Sequence, residues 1–106
     1  MSTSDPHAKS DANDSAQRLS ARVTGRVQGV GFRHFTRTTA RNQQLTGWVR
    51  NEPDGSVRLE AEGPRSALQV LLDAVHEGPR AARVDEVTSE WGAAADAFDQ
   101  FAVRHA

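Results

Sequence analysis

The chain has 106 residues and a net charge of −1, with a mass of 11.5 kDa, which leaves room for one domain with a single two-layer core and not for two. It contains no cysteine, so disulfides, thiol nucleophiles, cysteine-based zinc sites and iron–sulfur clusters are excluded, and the composition fits a reducing compartment. No apolar run reaches the length of a bilayer and the first residues lack the basic-then-apolar layout of a signal peptide, so a soluble, cytoplasmic protein with no membrane partner is expected.

Residues 1–17 are rich in Ser, Asp and Ala and almost devoid of large apolar side chains. Such a stretch cannot repay the entropy of ordering itself, so a flexible polar tail is expected, followed by one domain over 18–106. From Leu19 the pattern alternates: Leu19, Ala21, Val23 and Val27 on one face, Ser20, Arg22, Thr24 and Arg26 on the other. A half-buried strand over 19–27 follows. From Phe32 the period becomes helical, with Phe32, Phe35, Thr36, Thr39 and Ala40 on one face and Arg33, His34, Arg37 and Arg41 on the other. That helix ends near Gln44.

A second strand spans 45–51, and Glu52-Pro53-Asp54-Gly55 supplies turn chemistry before Val57, Leu59 and Ala61 alternate with Arg58, Glu60 and Glu62. Gly63-Pro64 opens a second helix that carries Leu68, Leu71, Leu72 and Val75 inward, and Gly78-Pro79 stops it. A fourth strand is expected over 84–91, a small-residue flexible stretch over 92–97, and a short last strand at Phe101 and Val103. Trp48, Phe32 and Phe35 are expected in the core, with Trp91 covering an edge of the sheet.

This order defines an α+β class: a ferredoxin-like βαββαβ two-layer sandwich, with two helices on one face of an antiparallel or mixed sheet, plus the short C-terminal strand. In that topology the first two strands run in the same direction with the third between them. Their carboxyl ends emerge on one sheet edge about 10 Å apart. Arg33 follows the end of the first strand and Asn51 ends the second, so both side chains reach one small anion.

Charge points to the same place. Arg18, Arg22, Arg26, Arg33, Arg37, Arg41 and Arg50 fall in a stretch without a single Asp or Glu between Asp14 and Glu52, which suggests an anionic partner, although most of these arginines taken singly read as a solvated surface. The segment Gly25-Arg26-Val27-Gln28-Gly29-Val30-Gly31-Phe32-Arg33 runs from strand through a glycine turn into a helix start. Glycines aim successive N–H groups at one spot, the helix adds the positive end of its dipole, and Arg33 supplies a planar fork for phosphate oxygens. An arginine in a first helical turn is disfavoured by the dipole unless an anion compensates it. By contrast, glycine turns without phosphate are common, Asn51 alone reads as a turn or cap residue, and Asp54-Gly55 is hairpin chemistry. His34 is expected to point away from the site, and His76 and His105 show no ligand spacing, so no histidine is given a chemical role.

These residues, together with Gly47-Trp48-Val49-Arg50-Asn51 and the later Gly78-Pro79, Ala82-Arg83-Val84 and Phe101-Ala102-Val103-Arg104, resemble the acylphosphatase signature from about Ala21 to the C-terminus. The resemblance implies hydrolysis of acyl phosphates to a carboxylate and inorganic phosphate, without cofactor or metal. Arg33 and Asn51 would be the catalytic residues, Arg33 binding the phosphoryl group with backbone N–H groups of Gln28, Gly29, Val30, Gly31, Phe32 and Arg33, and Asn51 holding the attacking water. Partners would be the small-molecule acyl phosphate and its phosphate product, with no nucleic acid, and the chain would act as a monomer.

The nucleotide P-loop is excluded because no Gly-Lys-Ser/Thr follows the glycines, and the dinucleotide fingerprint because His34 stands where its third glycine belongs. A ferredoxin-like nucleic-acid-binding module is the alternative reading, and it is weakened because the third strand, Ser-Val-Arg-Leu-Glu-Ala-Glu, has no stacking aromatic and alternates with acids. One departure from the family pattern stands out. Gln43-Gln44 replaces the usual Leu-Gly at the end of the first helix, and a left-handed Gln44 should cost about 1 kcal/mol.

Overall fold

The computed structural model describes residues 15–105, so most of the expected tail lies outside the described residues. The elements follow the order β1 (Ala16–Arg26), α1 (Phe32–Asn42), β2 (Thr46–Asn51), β3 (Val57–Pro64), α2 (Arg65–Glu77), β4 (Arg83–Ala93) and β5 (Phe101–Arg104). The five strands form one sheet in the order β4-β1-β3-β2-β5. β3 is antiparallel to both β1 and β2, so β1 and β2 point the same way, while β5 runs parallel to β2 at the edge. This is the expected ferredoxin-like α+β sandwich with its additional C-terminal strand.

β1 begins at Ala16, three residues before the alternation predicts, because Ala16 and Gln17 continue the ladder opposite Pro64 and Gly63. Both are polar or small, and pairing alone keeps them in the strand. β4 likewise extends to Ala93 through pairing with Gln17. No helix among the described residues is long and apolar enough to cross a membrane.

The core lies between the helices and one face of the sheet. Leu19 and Val23 of β1, Val57 and Leu59 of β3, and Val49 of β2 meet Phe32 and Ala40 of α1 and Leu68, Leu71 and Val75 of α2, all essentially without exposure. Thr36 is buried among them at no polar penalty because its hydroxyl donates to the Phe32 carbonyl one turn earlier, at 2.9 Å. Arg41, expected on the solvent face of α1, sends its Nε–H to the Phe101 carbonyl at 3.0 Å and ties the helix to β5.

Trp48 departs from expectation. It is only 6% exposed, yet the period of β2 places it beside Glu60 and Ala102 on the face away from the helices. The guanidinium groups of Arg50 and Arg104 cover its ring, 4.7 and 5.3 Å from the centroid. Composition alone marks a tryptophan as buried; which side of the sheet it lies on depends on register.

Candidate active site

β1 ends in a loop that the sequence builds from two glycines. Gly29 and Gly31 have φ of 74° and 82°, a left-handed conformation that L side chains rarely adopt, and a Cβ at either position would meet no atom within 4 Å. Backbone conformation, not space, therefore requires glycine here. Gly31 is also the N-cap of α1, with no side-chain cap and no acidic residue in the first turn. The Phe35 N–H makes the first helical bond to the Gly31 carbonyl at 3.0 Å. The N–H groups before it face the loop without a capping side chain, at the positive end of the helix dipole.

On the other side of the cleft, Asn51 ends β2 opposite Val57. Val57 points into the core, so Asn51 projects on the helix side, toward α1. Its Oδ1 is buried and, among the described residues, is the one such side-chain atom without a hydrogen-bond partner. A buried acceptor in this state costs about 1–3 kcal/mol unless something donates to it.

Between the loop and Asn51 lies an open cleft of about 450 Å³. Gly29, Gly31, Phe32, Arg33 and Asn51 all line it, so five of the expected site residues come together. Gln28 and Val30 do not line it. Val30 packs against the core, and the Gln28 side-chain amide donates to the carbonyls of Glu52 and Ser56, at 2.8 and 2.9 Å. The loop is thereby fastened to the β2–β3 turn immediately after Asn51. That turn is itself held by Asp54, whose carboxylate accepts from the Ser56 hydroxyl and N–H and from Arg22. These contacts, Ser56 first, hold the Asp54 carboxyl well below the usual carboxylate range.

His34, Arg37, Val103 and His105 also line the cleft. His34 and His105 thus correct the sequence reading, which gave the first an outward direction and the second no place. The Arg33 guanidinium donates to His105 Nδ1 at 3.3 Å, and that of Arg37 to His34 Nδ1 at 3.1 Å. Arginine has only donors, so each imidazole accepts at Nδ1. Arg37 was within reach of sequence reasoning, since it lies one turn beyond Arg33 on the same helical face. His105 was not. It arrives because β5 pairs with β2 in a register that sets Arg104 beside Arg50, and so His105 level with Asn51. Among the described residues, no carboxylate lines the cleft.

A ferredoxin-like α+β domain with an arginine-lined cleft at the carboxyl ends of two parallel-running strands is therefore the class that fold and site define. The Acylphosphatase family profile matches residues 19–103. The acylphosphatase of Salinibacter ruber is 68% identical over 88 residues, covering 83% of this chain and 93% of that protein. That of Syntrophotalea carbinolica is 48% identical over 87 residues, covering 82% and 95%. Among solved structures, the Bacillus subtilis acylphosphatase superimposes with a TM-score of 0.80 at 36% identity, covering 83% of this chain and 98% of that one. The Coxiella burnetii acylphosphatase does so with a TM-score of 0.79 at 38% identity, covering 85% and 94%. The chain belongs to the acylphosphatase family.

Proposed function

We propose that the cleft between the Gln28–Arg33 loop and Asn51 is where this chain hydrolyses acyl phosphates to a carboxylate and inorganic phosphate. The hydrolytic activity follows from family membership; the residue roles rest on the geometry. The observation that carries them is the buried, unpartnered Oδ1 of Asn51 across the same cleft from Gly29, Gly31 and Arg33.

In this reading the phosphoryl oxygens take the N–H groups of the loop and first helical turn, and the Arg33 fork exchanges its histidine contact for two of those oxygens. A water donates to Asn51 Oδ1, which turns an oxygen lone pair toward phosphorus. The new O–P bond forms as the bond from phosphorus to the acyl oxygen breaks, and the carboxylate leaves with that electron pair. A proton from the water passes to a phosphate oxygen. A carboxylate is a good leaving group and needs no strong acid, so positioning and donors aimed at the spread phosphoryl charge carry the rate.

Arg33→Ala is expected to lower kcat/KM on benzoyl phosphate by about 1,000-fold, and Asn51→Ala to lower kcat by about 100-fold with KM little changed. Full activity in Arg33→Ala overturns the assignment. Arg33→Lys should also be poor, because a point charge does not reproduce the fork.

The same reading has the chain act as a cytoplasmic monomer that binds neither nucleic acid nor membrane. The lack of cysteine supports the compartment. Val70, 45% exposed, is the one large hydrophobic side chain strongly exposed among the described residues, which supports the monomer. Among the described residues, the sheet face an RNA would use carries the Arg18–Glu62 pair, Phe98 beneath Arg18 and Trp48 beneath two arginines, so it offers no free aromatic ring.

A further inference from the structure

The phosphoryl site accounts for the loop, Arg33 and Asn51, but leaves Arg37 unexplained. Arg37 lines the same cleft, one helical turn or about 6 Å along the α1 axis from Arg33. Arg18, Arg22, Arg50 and Arg83 each have a carboxylate partner; of the arginines without one among the described residues, Arg33 and Arg37 are the two that line the cleft. Among the described residues the Arg37 guanidinium is held by the acceptor His34 Nδ1, which fixes one donor and leaves the others available. Among the described residues no carboxylate lines the cleft, so none of them neutralises a second positive charge beside the one that takes the phosphate.

Resting on the phosphoryl assignment above, we infer that Arg37 is the specificity residue on the acyl side, and that the preferred substrates are short acyl phosphates carrying a second anionic group on the acyl chain. With the phosphate on Arg33 and the loop, the scissile bond directs the acyl chain along the cleft, and a distal carboxylate or phosphate one turn away meets the Arg37 fork. A neutral acyl group of equal length leaves that guanidinium without an anion.

The test compares succinyl phosphate with butyryl phosphate, which match in carbon count and differ in the distal carboxylate. For the wild-type chain kcat/KM should favour succinyl phosphate by about tenfold, the size of one charge-assisted contact in a partly solvated cleft. In Arg37→Gln the ratio should fall to unity or below, and Arg37→Lys should keep part of it. Arg58→Gln removes the same charge from an exposed position on the opposite sheet face and should keep the wild-type ratio. A wild-type ratio of unity, a ratio unchanged in Arg37→Gln, or an equal loss in Arg58→Gln overturns the inference. So does loss of all turnover in both Arg37 variants, which would make Arg37 part of the chemistry. Arg33→Ala, assayed on butyryl phosphate, separates the two levels: retained turnover sinks the phosphoryl assignment itself, while lost turnover with a flat ratio sinks only the role of Arg37.

Discussion

At the residue scale, Gln44 shows how far a single backbone position can be read ahead of the structure. Its φ is 59°, and it occupies the left-handed position of a Schellman ending: Gln44 N–H donates to the Arg41 carbonyl at 3.0 Å and Leu45 N–H to the Ala40 carbonyl at 2.9 Å. Leu45 and Ala40 are both buried, which supplies the hydrophobic contact that goes with this motif. The hydrogen bonds are in place, and only the Cβ opposes them. Gln44→Gly is therefore expected to stabilise the fold by about 1 kcal/mol, read as a higher midpoint in urea at unchanged slope. The position lies at the far end of α1 from Arg33, so kcat on benzoyl phosphate should not move. The place of Arg33 in the cleft was legible at this scale because an arginine in a first helical turn stands against the dipole; that of Asn51 was legible only as one half of a pair.

At the element scale, β3 organises the connection between β4 and β5 through one side chain. Glu62 is 5% exposed and accepts from Arg18 at 2.9 Å, from the Ala95 N–H at 2.9 Å and from the Ala97 N–H at 3.2 Å. Burial alone would raise its pKa, but the two backbone N–H groups and Arg18 outweigh burial and set the carboxyl below its ordinary value of 4.5. A carboxylate depressed in the folded state contributes stability above the unfolded value, and that contribution is lost as pH falls through the folded one. Acid unfolding should therefore begin below about pH 4.5. Glu62→Gln places an NH₂ against a donor and should destabilise by about 2 kcal/mol at pH 7. Between pH 4.5 and acid unfolding, its stability should fall less steeply than that of the wild type. Parallel curves for the two proteins would refute this role. The alternation of β3 showed an acid on the solvent side of a strand, but not that residues 94–97 fold back over it, since that segment carries no periodic signal of its own.

At the scale of the whole molecule, the sheet separates two chemistries. The helix side holds the core and, at its carboxyl-end rim, a cleft lined by arginine and histidine. The far side carries ion pairs and an arginine-covered tryptophan. Among the described residues there is little uncovered apolar surface, and the aromatic rings of the far side, Trp48 and Phe98, lie beneath arginines. Sedimentation should give a species of 11.5 kDa at micromolar concentration, and titration with single-stranded RNA should show no binding at physiological salt. A dimer, or salt-sensitive RNA affinity, would require a surface other than those described.

The sequence by itself determined the element order, the inward faces of α2, β1 and β3, the glycine cradle before α1, and the pairing of Arg33 with Asn51, because each is written in local periodicity or in backbone demands that few residues meet. Only the tertiary structure decided which face buries Trp48, that Gln28 fastens the loop to the turn after Asn51, and that β5 carries His105 to the cleft. Those outcomes depend on register between strands far apart in the chain, where a shift of one residue moves every side chain to the other face. Local sequence carries no measure of that register. The glycine turn, Arg33 and Asn51 were thus written in the chain, while the sheet brought His105 and Val103 to the cleft they line.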